Sequence, residues 1–190
     1  KGVIKKEIGI PAELQAQEIR FGFEGIARDG DVLWMPVQRS WKDDAKGEVK
    51  LVAYNVDSEE WGAVRYKLDD PAGKGWVGLS DIEIHDGYAY IIERDNQIGE
   101  LAAIKKIYRV AMSQMVPAAL GGELPLVAKE EVRDLLPDLK ALNGYVVDKV
   151  EGLAIDADGR AYVVTDNDGV DDSSGETLFF TIGGIASVSN

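Results

Sequence analysis

One pattern occurs three times along the chain and limits the folds that the chain can adopt. In each copy an apolar residue and an acid lead into a short apolar run, an Asp-Gly pair and a second apolar run. The copies occupy residues 23–34, 79–90 and 150–164. Asp-Gly between two such runs is a strong signal for a β-hairpin. The acids of successive copies lie 57 and 70 residues apart, which favours repeated small sheets with variable loops over a tight solenoid.

The repeated hairpin predicts an all-β fold built from β-propeller blades. Residues 49–56 and 61–68 alternate apolar and polar side chains and complete a four-stranded first blade. About three blades are present, whereas a closed propeller has about four to eight. Since the chain also begins with Lys1, we expect residues 1–190 to be the C-terminal part of one propeller of about six blades. Its remaining blades would lie on another segment of the same chain or on a second chain.

Two segments later in the chain have ambiguous patterns. Residues 99–110 contain apolar side chains three or four apart, as in a helix, but the second blade needs a third strand there, so we predict a strand at residues 106–110. Residues 129–136 are the best helix candidate, ending near Pro137.

The composition excludes several classes of function. The chain has 34 acidic and 21 basic residues and a formal net charge of −13. A nucleic-acid partner requires a basic surface, so we expect none. Cations suit such a surface, and solubility alone is the alternative explanation of the charge. Cysteine is absent from the sequence, which excludes disulfides and thiolate chemistry. The apolar segment at residues 178–188 is too short to span a bilayer, so we expect a protein that is not transmembrane.

The repeated acids Glu24, Asp81 and Glu151 are the leading candidates for catalysis and for metal binding. Equivalent positions of successive blades surround one axis, so these carboxylates are expected to approach each other. Clustered carboxylates repel unless a proton or a cation neutralises them, and Ca²⁺ prefers oxygen ligands. In the alternative interpretation, each acid accepts hydrogen bonds from strand-end amides or pairs with Lys or Arg.

A second oxygen-rich segment follows the third repeat. Asp166 and Asp168 are candidate metal ligands there, although the spacing of the segment does not fit an EF-hand and a solvated loop is the alternative. Arg94 lies between two acids at a strand end and is a candidate for binding an anionic substrate, or else a member of an internal salt-bridge group. His85, the only histidine, precedes an Asp-Gly pair and is expected to be a turn residue.

Four stretches give the chain a resemblance to a known family. They are residues 20–27, residues 78–82, residues 92–95, and residues 150–154 continuing through 165–168 to 177. In this order they resemble the phytase-like family, described as having esterase-like activity of phytase. The chain departs from the family at Arg20-Phe21-Gly22, where the family more often has Asn-Arg-Gly. The resemblance implies a secreted or periplasmic β-propeller of the cell envelope that hydrolyses phosphate or other esters.

Two functions are compatible with these residues. The first is a calcium-dependent phosphoester or carboxylester hydrolase, in which Ca²⁺ held by the candidate acids binds an anionic ester and activates water. The second is a noncatalytic propeller that serves as a binding or structural module and contains structural calcium. The Arg-His-Gly signature of histidine acid phosphatases is absent from the sequence.

Overall fold

The computed structural model describes residues 2–147, 149–167 and 177–185. The described residues form mainly strands. The strands are β1 (Ala27–Asp29), β2 (Val32–Pro36), β3 (Glu48–Asn55), β4 (Trp61–Lys67), β5 (Val77–His85), β6 (Tyr88–Asp95), β7 (Lys105–Ala111), β8 (Ala118–Ala119), β9 (Glu130–Asp134), β10 (Lys149–Ile155), β11 (Arg160–Asp166) and β12 (Phe179–Gly184). The helices are α1 (Ala12–Gln15) and α2 (Leu136–Asn143), with 3₁₀ turns at Gly99–Leu101 and Met112–Gln114.

Within this part of the chain the strands form three antiparallel sheets. The first has the order β1-β2-β3-β4-β8, the second β5-β6-β7-β9 and the third β10-β11-β12. Most strands pair with their neighbours in sequence, as short hairpin connections require, but β8 returns to the first sheet beside β4, and β9 pairs with β7. In the β5–β6 hairpin, His85 pairs with Tyr88 across a two-residue loop. Asp86 and Gly87 have φ values of 45° and 78°, the left-handed pair that such a loop favours.

The sheets pack against each other through their apolar faces. One core lies between the first and second sheets and includes Leu51 and Tyr66 from one side and Ile82 and Ile91 from the other. A second core joins the second and third sheets, and α2 contributes Leu139 to it. At the junction of the sheets, β5 contacts β1, β2 and β10. This contact brings the three sequence repeats to one place.

The helix predicted at residues 129–136 is wrong. Glu130–Asp134 is a strand that pairs with β7, and the helix begins at Leu136. The strand is held by cross-strand ion pairs, Arg109–Glu130 at 2.7 Å and Lys106–Glu131 at 2.8 Å, which the local pattern does not contain. Pro137 lies in the first turn of α2, a position that tolerates its missing N–H, so it begins the helix rather than ending one.

Other predictions for the fold are confirmed. The strand predicted at residues 106–110 is the centre of β7, and the described residues are mostly β with three antiparallel sheets, so the all-β class is confirmed. The number of blades stays a prediction. No helix among the described residues is long and apolar enough to cross a membrane.

Candidate active site at the junction of the sheets

Asp81 connects the three repeats at the junction of the sheets. Its Oδ2 accepts a hydrogen bond of 2.7 Å from the backbone amide of Leu153, in the third repeat. Its Oδ1 accepts one of 2.8 Å from the amide of Ile82. On the other side, a Cβ added to Gly25 would lie 2.5 Å from Asp81 Oδ1. Glycine is therefore required after Glu24, because the second repeat packs directly on its backbone.

β5 contains a bulge next to its repeated acid, and β10 contains one at its repeated acid. The register shifts occur between Leu79 and Asp81 and between Val150 and Gly152, so Ser80 and Glu151 are the extra residues. A bulge changes the direction in which a side chain points. Here the two bulges place the side chains of Ser80 and Glu151 against the same partner.

That partner is Arg94, on β6. Its Nε donates to Ser80 Oγ at 3.0 Å, and its Nη2 donates to Glu151 Oε1 at 2.6 Å. The Arg94 side chain is 2% exposed and that of Glu151 is 25% exposed. The guanidinium carbon also lies 5.3 Å from the ring centroid of Trp76. A buried arginine thus orients a carboxylate that remains accessible to solvent.

Glu24 is the second carboxylate of this cluster. The residue is solvent-exposed, but partial burial of its carboxyl and the negative charge of Glu151 raise the pKa of Glu24. The positive charges of Arg94 and Lys149 oppose this rise. The two carboxylates therefore occupy different environments: Glu151 is ion-paired, whereas Glu24 has an increased tendency to hold a proton.

The other predicted acids are arranged differently. Burial raises the pKa of Asp81 against the opposing effect of its two backbone hydrogen bonds. Asp166 lies 3.9 Å from Lys149 Nζ, in the adjacent strand. Asp168 lies outside the described residues. Over residues 2–147, 149–167 and 177–185 there is no group of three or more His, Asp or Glu side chains arranged to hold a metal ion.

A separate group of ionisable side chains lies elsewhere on β6. Glu93 Oε2 accepts hydrogen bonds from Tyr66 Oη at 2.8 Å and from Lys129 Nζ at 2.6 Å, and its Oε1 accepts one from the Asp69 amide at 2.6 Å. Asp69 in turn pairs with Lys129 at 2.8 Å and accepts a bond of 2.6 Å from Tyr108 Oη. We call these five residues the Glu93 network. Glu93 is 0% exposed, and burial raises its pKa while Lys129 opposes the rise.

Several residues of these clusters were not predicted from the sequence. Ser80 lies in a stretch that resembles the family but was given no role, and Lys149 and Trp76 lie outside any motif, because the contacts of all three depend on bulges and on packing between sheets. One signal was available: the Glu-Gly pairs of the first and third repeats. At Gly152, as at Gly25, an added Cβ would collide with a neighbour, here the side chain of Val164. A glycine inside a strand pattern is a known sign of a bulge or of a close approach.

Comparison with known proteins agrees with the resemblance seen in the sequence. A family model described as "Phytase-like: Esterase-like activity of phytase" matches residues 1–169. Searches of curated proteins and of solved structures found no match. The match includes Arg94, Ser80, Glu151 and Glu24, which we call the Arg94 cluster, and all of the Glu93 network. On this match, which covers most of its length, the chain belongs to the phytase-like family.

Proposed function

We propose that the chain contains the acid–base centre of a hydrolase that cleaves anionic esters, with Glu24 and Glu151 as its catalytic residues. Family membership supports an ester or phosphoester hydrolase in general. The observation that carries the assignment is the different environment of the two carboxylates, since Glu151 pairs with buried Arg94 and Glu24 has a raised pKa. Two titratable groups whose pKa values are separated by their surroundings are the usual arrangement for an acid and a base.

The proposed reaction is the addition of water to an ester. Glu151 accepts a proton from water as the water oxygen bonds to the acyl carbon or the phosphorus. The bond from that atom to the alcohol oxygen breaks, and Glu24 donates its proton to the departing oxygen. The products are an acid and an alcohol, and the proton on Glu151 returns to solvent or to Glu24. Arg94 is a positioning residue, because its Nη2 donates to Glu151 and holds that carboxylate in place, while its Nε donates to Ser80.

The proposed function also involves the arrangement of the sheets and the location of the protein in the cell. The three sheets are blades around a shared axis, with Glu24, Asp81 and Glu151 near that axis, and the protein acts outside the cytoplasm, in the periplasm or beyond. The contacts of β5 with β1, β2 and β10 support the first statement. Family resemblance alone supports the second, which cell fractionation tests.

Calcium fits this set of donors poorly. Both carboxylate oxygens of Asp81 accept backbone amides, and Glu151 already pairs with Arg94. The reaction above therefore uses only side chains of the chain. Calcium dependence stays a prediction, and elemental analysis of the purified protein before and after chelation tests it.

The decisive experiment measures ester hydrolysis as a function of pH. We expect the purified protein to hydrolyse p-nitrophenyl phosphate or p-nitrophenyl acetate, and Glu24→Gln and Glu151→Gln to lower kcat/KM by about 100-fold or more, as expected for loss of a general acid or base. The control is Glu123→Gln, an exposed acid away from the cluster. Melting temperature and circular dichroism establish that each variant is folded.

Two results contradict the proposal. One is a Glu24→Gln variant with normal turnover across the pH range. The other is the absence of turnover in the folded wild-type protein on every ester tested. The second result would favour the alternative, a noncatalytic binding or structural propeller.

A further inference from the structure

A groove next to the Arg94 cluster has the features of a second binding site. It has a volume of about 390 Å³, within the usual range of small-molecule sites. It lies between the segment before β1, the turn before β3 and the loop that joins β4 to β5. The lining side chains that matter here are Phe21, Arg39, Lys46, Asp69, Asp70 and Trp76. We call it the Arg39 groove.

Arg39 is held in the groove by aromatic rings. Its guanidinium carbon lies 4.6 Å from the ring centroid of Phe21 and 4.9 Å from that of Trp76. The two rings are 5.7 Å apart and tilted by 47°. Cation–π contacts of this kind fix the position of a guanidinium without using its N–H donors.

The guanidinium N–H donors of Arg39 have no partner among the residues that the structure describes. The half-buried side chain makes no hydrogen bond or ion pair with the described part of the chain, unlike Arg65, which donates to Leu124 and Glu48. The nitrogens of this side chain are not shielded from solvent, so they are accessible to a ligand. A planar fork of free donors matches the oxygens of a phosphate or a carboxylate.

The other charges of the groove have distinct roles. Lys46 is exposed and adds a second positive charge without a carboxylate partner among the described residues. Asp69 also lines the groove, but Lys129 and Tyr108 already bind its carboxylate. Asp70 is exposed and opposes an anion. Considering only described residues, the groove lining therefore contains two positive charges and one negative charge without an oppositely charged partner.

Trp76 connects the groove to the proposed active site. Arg39 and Arg94 contact the same indole ring, at 4.9 Å and 5.3 Å from its centroid. The backbone of Trp76 is fixed to the segment after β6 by two hydrogen bonds with Asn96, of 2.9 Å and 3.1 Å. The groove and the Arg94–Glu151 pair therefore share one wall, the indole ring of Trp76.

We propose that the Arg39 groove is an oxyanion-binding subsite that holds an anionic group of the ester substrate, remote from the bond that is cleaved. Its role in turnover rests on the proposed function, whereas its binding of oxyanions does not. The substrate class is thus an ester with an additional phosphate or carboxylate group.

The test of binding uses inorganic phosphate and acetate as separate probes, at constant ionic strength because exposed charges are screened by salt. Binding is followed by calorimetry and by the Nε–H resonance of Arg39 in the nitrogen-15 labelled full chain. We expect Arg39→Gln to weaken binding by about tenfold, the loss expected for one charge-assisted contact. Asp70→Asn, in the same groove, should tighten it about twofold to threefold because a repelling charge is removed. Arg28→Gln, an exposed arginine on β1, is the matched control and should have no effect.

The results distinguish oxyanion binding in the groove from a role of the groove in ester hydrolysis. Phosphate preferred over acetate assigns the subsite to phosphate, and the reverse preference assigns it to carboxylate. The inference is overturned when wild-type protein binds neither probe, or when Arg39→Gln binds as well as wild type. If binding depends on Arg39 but no ester is hydrolysed, the oxyanion site stands and its role in turnover, together with the proposed function, fails.

A kinetic comparison tests the role in turnover. Arg39→Gln should raise KM for an ester that carries an additional anionic group and leave kcat unchanged. It should leave KM for p-nitrophenyl acetate, which lacks such a group, unchanged as well. Equal effects on the two esters overturn the subsite role even if the active-site assignment to Glu24 and Glu151 holds.

Discussion

Two neighbouring residues of β6 belong to clusters with opposite properties. Glu93 is 0% exposed, and both of its carboxylate oxygens are bound by the Glu93 network. Arg94 is also buried, but it pairs with Glu151, whose side chain is 25% exposed. Consecutive residues of a strand point to opposite faces. Strand β6 therefore holds a fully buried glutamate on one face, and on the other an arginine whose carboxylate partner is partly exposed to solvent.

The difference indicates what each cluster contributes. A buried carboxylate with complete hydrogen bonding and a cation joins segments distant in sequence, here β4, β6 and the segment before β9. A carboxylate that is oriented by a buried partner and open to solvent is suited to contact with a substrate. Residue type alone does not distinguish the two clusters, since each contains a glutamate.

The largest effect is expected from removing the cation of the Glu93 network. Lys129→Met leaves Glu93 buried beside Tyr66 without a positive charge, and we expect a loss of about 3 kcal/mol in the free energy of unfolding. Chemical denaturation measures it. Lys6→Met is the control, because Lys6 pairs with Glu59 on the surface, both side chains are more than half exposed, and such pairs contribute about 0–1 kcal/mol. Equal losses in the two variants would remove the distinction between the buried network and a surface pair.

A steric change tests the junction of the repeats. Gly25→Ala places a Cβ 2.5 Å from Asp81 Oδ1 and 3.1 Å from both Asp81 Cα and the Ile82 amide, and part of this contact is rigid backbone. We expect a destabilisation of about 2 kcal/mol, typical of overpacking. The matched variant is Gly22→Ala, where nothing lies within 4 Å of the added Cβ. If Gly25→Ala is as stable as Gly22→Ala, the repeats do not pack as described.

The smallest effects are changes in the pH dependence of stability, and they have opposite signs in the two clusters. Partial burial and Glu151 raise the pKa of Glu24 in the folded state. The folded protein then holds the proton more tightly than the unfolded chain, so stability falls as pH rises from the ordinary Glu value of about 4.3 through the raised value. Glu24→Gln should remove this fall.

For Asp69 the direction is reversed. Burial raises the pKa of Asp69, but the hydrogen bonds from Lys129 and Tyr108 outweigh it, so the pKa lies below its ordinary value. Its contribution to stability is present above about pH 3.9 and is lost as pH falls through the folded-state pKa. Asp69→Asn should reduce acid sensitivity. Unfolding curves at several pH values check both slopes, and slopes of the same sign would contradict the comparison.

Local chemistry was sufficient to predict much of the fold. Asp-Gly pairs between apolar runs predicted the three hairpins, because the glycine of each pair takes up the left-handed backbone that favours a tight turn: φ is 55° at Gly30, 78° at Gly87 and 76° at Gly159. The helix predicted at residues 129–136 failed because its charged residues are held in a strand by partners on β7, some twenty residues earlier.

The sequence by itself determined the strand class, the repeated acids and the family, since each depends on residues close together along the chain. Tertiary structure decided which carboxylates are shielded from solvent and which remain exposed to it. Bulges turned Ser80 and Glu151 towards Arg94, and sheet packing buried Glu93 against Tyr66 and placed Arg39 against two aromatic rings. These outcomes depend on contacts between distant segments, and electrostatic and hydrogen-bonding energies change steeply with such distances.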